Sequence, residues 1–211
     1  MHKIPDKTIF APDFGGKRID YGYVRSITDD TELIKFLYLR LKGFFVEQVQ
    51  PLQDHRSAFP LMTMTCVGIE TLGQIFIAED KDDKSWQFVE ILKKIHQVFG
   101  RKPKRKYFER LKEIWEEKEL AKLDSLGKIV YRFFRNTMVH GYQAKGMFLS
   151  YEDSSSIEIK DESGFMTVNP DWFWNNFKLY FEKVFEDAIK AQDDNKMRKN
   201  CLKYIRCYLL G

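Results

Sequence analysis

Residues 57–78 read SAFPLMTMTCVGIETLGQIFIA and carry a single formal charge, Glu70. In a chain with 31% charged residues, no other stretch restricts the fold so strongly. Pro60 lies near its start and Glu70 interrupts it. Neither uncharged half approaches the roughly 20 residues that cross a bilayer, so no membrane span is expected. A helix that is apolar nearly all round has no face to offer water and has to sit inside a group of other helices. The stretch predicts a buried core helix and, around it, a helical bundle.

The rest of the chain supplies the surrounding helices. Asp29 followed by Glu32 resembles a capping box, and Ile34, Leu37, Leu41, Phe45 and Val49 follow at helical spacing until Pro51. After the polar turn at 80–83, Phe88, Leu92, Ile95 and Phe99 form the stripe of a helix that Gly100 ends. A further helix is expected from Tyr107, with Phe108, Leu111 and Trp115 on one face, and the charged joint EEKEL follows it. Leu126, Ile129, Val130, Phe133 and Phe134 mark the next helix. Asn169 is placed to cap a helix opening on Pro170 and rich in aromatics: Trp172, Phe173, Phe177, Tyr180, Phe181 and Phe185. A last helix covers about residues 195–209.

Two segments break the helical period. Residues 1–28, with their prolines and the Gly15–Gly16 pair, read as an extended arm with a short strand at RIDYGYV, residues 18–24. Residues 146–168 alternate in places and are broken by Ser, Asp and Gly, as expected of a β-hairpin or three short strands. The expected fold is mainly α: an up-and-down helical bundle over residues 29–211, with a small β-hairpin insert before the last helices.

A chain of 211 residues suits one domain with an elaboration and buries a full core without disulfides or metal. Its cysteines, Cys66, Cys201 and Cys207, have no metal-type spacing, and their odd number argues against a disulfide framework. The histidines are scattered, so neither a metal site nor a cofactor is expected. The opening MHKIPDKTIF has no apolar core after its charges, hence no signal peptide is expected. A reducing cytoplasm fits this cysteine usage. The net charge of +4 does not by itself imply nucleic acid; its distribution matters more. In RKPKRK, Arg101, Lys102, Lys104, Arg105 and Lys106 crowd around one proline. Such a run is either a solvated loop or an arm that attracts RNA phosphates.

The stretch FFRNTMVHGY, residues 133–142, ends an apolar helix on Arg135, Asn136 and His140. Asn136 and His140 are four apart and share a helix face. Gly141 is placed to end the helix and free the direction of His140. Arginine offers phosphate a planar fork of donors, and histidine exchanges a proton near neutrality. Together they suit cleavage of RNA by its own 2′-hydroxyl, with His140 as base, Arg135 stabilising the charge on phosphorus, and Asn136 orienting the histidine or the ligand. Each residue also has a purely structural reading. The helix dipole favours histidine at a C-terminus, and Arg135 pairs with a nearby glutamate or caps carbonyls.

The combination resembles the motif of the HEPN superfamily, in which an arginine, usually followed by a polar residue, precedes a histidine at the end of an apolar helix. Here Arg135, Asn136 and His140 match, with four residues between the arginine and the histidine. The match covers about a dozen residues, and the order of helices extends it loosely over residues 30–192. The β insert and the N-terminal arm depart from the compact family pattern. The resemblance implies a helical domain that pairs with a second copy, so that two Arg–His motifs face a shared, metal-independent endoribonuclease cleft. The aromatic-rich helices are expected to offer the apolar surface for that contact. Many such proteins look like toxins or defence effectors with an antitoxin or other partner protein. Other relatives keep the fold as a non-catalytic interaction module. A domain that binds a nucleotide or a small phosphorylated ligand in the same cleft is a third possibility.

Overall fold

The structure, a computed structural model, describes residues 4–14, 17–77, 84–113, 116–135, 147–152, 157–159 and 166–210. It is mainly helical, and the near-apolar segment forms its central helix, α4 (Ala58–Phe76). Leu61, Met62, Cys66, Ile69, Leu72 and Ile75 are at most 1% exposed. Around α4 stand α5 (Lys84–Ile95), α9 (Pro170–Lys190) and α10 (Lys196–Tyr204). Two glycines let the neighbours approach closely. A Cβ on Gly68 would stand 2.5 Å from the Phe177 ring of α9, and one on Gly73 would meet the Gln87 backbone of α5 at 3.3 Å.

α9 begins as expected, with Asn169 accepting the Trp172 N–H at 3.1 Å and Pro170 in the first turn. Its aromatic side chains point inward: Phe173, Trp174, Phe177, Phe181 and Phe185 are at most 1% exposed. The expectation that they would furnish a surface for a second copy is therefore corrected. Five large rings packed against α4 and the helix over Asp30–Lys42 bury an apolar face too large to leave exposed.

Helix α2 (Asp30–Lys42) is capped by Asp29, whose carboxylate accepts the Glu32 N–H at 2.7 Å. It runs on through a π-helical turn, Gly43–Glu47. Pro51 then sits in the first turn of α3 (Gln50–Asp54) instead of simply closing α2, because a first-turn proline loses no intrahelical bond. The stripe expected to run from Phe88 to Phe99 is broken at His96. The His96 Nδ1 accepts the Val98 N–H at 3.2 Å and starts a 3-10 turn, Gln97–Gly100. α6 (Arg105–Lys112) and α7 (Glu117–Leu120) follow. α8 (Leu126–Ile129) continues as a π-helical turn, Val130–Arg135.

Both β segments are present, in forms the pattern did not dictate. Within residues 1–28, β1 (Ile9–Phe14) pairs antiparallel with β2 (Lys17–Asp20), and α1 (Tyr21–Ser26) follows. The strand stops at Asp20 because its carboxylate accepts the Tyr23 N–H at 2.8 Å and caps α1. Phe10, Tyr21 and Val24 join the main core, and Arg40 of α2 donates to the Phe10 carbonyl while lying 4.9 Å from the Phe10 ring centroid. In the insert, β5 (Met166–Val168) lies between β3 (Met147–Leu149) and β4 (Ile157–Ile159). β4 and β5 form the antiparallel pair of a hairpin, whereas β3 runs parallel to β5.

Candidate functional site at the end of the motif helix

The helix that leads to Arg135 is fastened along its first turns. Ser125 accepts the Lys128 N–H at 3.4 Å, and Leu126, Gly127, Ile129 and Val130 are buried. A Cβ on Gly127 would come within 3.1 Å of the Phe99 carbonyl and 3.2 Å of Val89, so the absence of a side chain lets this helix lie close to α5 and the 3-10 turn after it. The helix then widens into its π-helical turn, a geometry that re-aims side chains and recurs at functional positions.

Arg135 closes that turn. Its Nη2 and Nε donate to the same Oε2 of Glu70, at 2.5 and 3.1 Å. The guanidinium lies 5.8 Å from the Tyr131 ring centroid, one turn earlier. The side chains are 20% and 16% exposed: withdrawn from bulk water, yet not sealed from it. The fork geometry and partial burial place this pair above an ordinary surface ion pair, and a charge-assisted bond of this kind stabilises by about 1.5–3 kcal/mol.

Glu70 is the residue of this candidate site that reading the sequence missed. It registered there only as a break in an apolar run. The signal was present, because an ionised carboxylate on the central helix of a bundle needs a partner. Nothing local identified that partner, which lies 65 positions away. One turn before Glu70, burial pushes the Cys66 thiol well above its ordinary range; Arg135 pulls it back and Glu70 adds to the rise. Cys66 is thus an unreactive core residue.

Asn136 and His140, the other two motif residues, lie outside the described residues. The basic residues are placed. The Leu126 N–H donates to the Arg101 carbonyl at 2.9 Å, tying the arm to the first turn of α8. Arg135 stands at the other end of the same helix, roughly 13 Å further at 1.5 Å per residue. Arg101, Lys102, Lys104, Arg105 and Lys106 are all exposed. Arg105 and Lys106 belong to the first turn of α6 and not to the loop before it. Positive charge is disfavoured at that end of a helix, and Arg105 has Glu109 at 3.8 Å in partial compensation.

No helix among the described residues is long and apolar enough to cross a membrane. No group of three metal-ligating side chains occurs among them. No family model, curated protein or solved structure matches the chain.

Proposed function

We propose that this chain is a metal-independent endoribonuclease of HEPN type, acting as a symmetric homodimer whose two motifs face one cleft. His140 takes the proton of the RNA 2′-hydroxyl, Arg135 stabilises the charge growing on phosphorus, and Asn136 orients the histidine or the ligand. The observation that supports this reading is the Arg135–Glu70 pair. One carboxylate on the central helix holds the guanidinium at the end of the motif helix, and a preoriented fork is what phosphate recognition requires. The exposed basic residues at the start of the same helix supply sequence-independent attraction for the backbone.

The second copy has a surface to use. On α4, Phe59 and Val67 are 48% and 36% exposed, and Thr63 and Thr71 continue the same stripe. The threonine hydroxyls donate back to the Phe59 and Val67 carbonyls at 2.9 and 2.8 Å. This uncharged stripe runs along the helix that carries Glu70, and an isologous contact made there would set the two α4 helices side by side. A toxin or defence effector of the cytoplasm, restrained by an antitoxin or other partner protein, is the setting this activity fits.

The same ion pair favours a second reading. An arginine engaged by a carboxylate is also what a non-catalytic homodimeric module or a nucleotide-binding domain retains for stability. RNA cleavage by purified protein in EDTA separates the two. The wild type is expected to cut, Arg135→Ala and His140→Ala to lose cleavage while folded, and Glu70→Gln to retain a reduced rate. Cleavage by His140→Ala at the wild-type rate would remove His140 as the base and return the site to a structural role.

A further inference from the structure

Where one face of α5 meets the end of α4 and the start of α10, side chains leave a cavity of about 370 Å³, within the size range of small-molecule sites. Its frame is fixed by polar contacts. The Asn200 side-chain amide donates to the Phe76 carbonyl at 3.0 Å and ties α10 to the end of α4. Trp86, Glu90 and Lys94 stand four apart along α5 and form one wall. Asn195, Lys196 and Met197, at the start of α10, form another, and Phe76 and Ile77 close the space from α4.

The lining divides by chemistry. Phe76, Ile77, Trp86 and Met197 are apolar, and the last three are half-buried instead of closed into the core. An indole beside a flexible thioether is a surface that gains by being covered and adapts to what covers it. The polar members differ in the capacity they have left. Glu90 Oε1 accepts from Lys93 Nζ at 2.7 Å, so its charge is answered within α5. Asn195 Oδ1 accepts the Met197 and Arg198 N–H groups at 2.9 and 3.2 Å and is spent on capping α10. Lys94 and Lys196 are exposed, and an ammonium carries three donors. The N-terminus of α10 adds partial positive charge on the same side.

An apolar interior with spare donors and a positive rim defines its complement by charge and by solvation. A wholly apolar ligand would leave the ammoniums without an acceptor, and a cation would meet them as like charges. We infer that this cavity binds a small amphipathic anion. Its apolar body lies against Trp86, Phe76, Ile77 and Met197, and Lys94 and Lys196 hold its carboxylate or phosphate. The sequence places Glu79, Asp80, Asp82 and Asp83 just after Ile77. If their charge governed the cavity, the ligand would be a cation, so the sign of the ligand's charge is the quantity to measure. The inference does not rest on the ribonuclease reading.

Calorimetric titration of the full chain with 2-naphthoate, 2-naphthalenemethanol and 2-naphthylmethylamine tests the site, because the three share a ring system and differ in charge. The carboxylate is expected to bind about tenfold more tightly than the alcohol, as a hydrogen bond to a charged group allows, and the amine to bind most weakly. Added salt should weaken binding of the carboxylate and spare that of the alcohol. Lys94→Gln should lower affinity for the carboxylate about three- to tenfold and leave that for the alcohol unchanged. Lys199→Gln, an exposed α10 position outside the lining, should change neither. Trp86→Ala should weaken both. 2-Naphthyl phosphate binding about tenfold more tightly than 2-naphthoate identifies phosphate as the preferred head group, and equal or weaker binding identifies a carboxylate. Arg135→Ala should bind these probes as the wild type does even when cleavage is lost, so the two readings fail separately. The inference is overturned if the amine binds as tightly as the carboxylate, if none of the probes binds saturably, or if Lys94→Gln binds the carboxylate as the wild type does.

Discussion

Arg198 and Arg135 are both withdrawn from solvent, and the fold holds them in different ways. The Arg198 side chain is 5% exposed. Its Nε donates to Asp193 at 3.1 Å, its Nη1 to the Ala188 carbonyl at 3.2 Å and its Nη2 to Thr31 at 3.0 Å. The last turn of α9, the connection to α10 and the start of α2 are thereby tied to one guanidinium. Arg135 is 20% exposed and anchored through Nε and Nη2 on one carboxylate oxygen of α4. An arginine divided among three elements is an architectural part whose loss is felt as unfolding. On the proposed reading, an arginine oriented by a carboxylate at a helix end, with more of its surface open to water, presents its charge to a ligand. The contrast separates the two residues where composition and spacing do not.

Breaking the contrast starts with function. Arg135→Ala is expected to lower RNA cleavage about 10²- to 10³-fold, the usual loss when a charge-stabilising donor leaves a reacting phosphate. Its denaturation midpoint should shift much less than that of Arg198→Met. Activity assays in EDTA, run beside urea unfolding, read both quantities. Arg198→Met should cost about 2–4 kcal/mol, since it strands a helix-end carbonyl and a hydroxyl in the interior. Cleavage per folded molecule should persist. If Arg198→Met abolishes cleavage in fully folded protein, the division between an architectural and a presented arginine is wrong.

A change on the opposite face of α4 sharpens the comparison. Gly68→Ala pushes a methyl toward the Phe177 ring, 2.5 Å from the added carbon. It should cost about 1–3 kcal/mol in unfolding free energy through overpacking. The Glu70 side of the helix, and with it the rate per folded molecule, should be untouched. The smallest effect is expected at the basic arm. Replacing Lys102, Lys104 and Lys106 by Gln should flatten the log–log salt dependence of single-stranded RNA binding by about 0.7 per lost phosphate contact. Any base preference should survive, because phosphate contacts carry no sequence information. Parallel binding lines of equal height for the two proteins would make the arm a solvated loop.

What the sequence by itself determined is short-range. The burial of α4 follows from the lack of charge around it, the start of α2 from Asp29, and the start of α9 from Asn169 and Pro170. Each rests on interactions within a turn or two, and those survive any tertiary arrangement. The Arg135–Asn136–His140 spacing is a local pattern of the sequence in the same way, and the structure describes its Arg135. Only the tertiary structure decided that α9 directs its rings inward, that β3 pairs parallel with β5, and that residues 9–26 pack on α2. It also decided that Glu70 answers Arg135 and that the Arg198 guanidinium joins α9, the connection to α10 and α2. These partners come from segments far apart in the chain. No periodicity or cap encodes which distant side chain will answer a buried charge; that is selected when the whole core closes and every polar group left inside must find its complement.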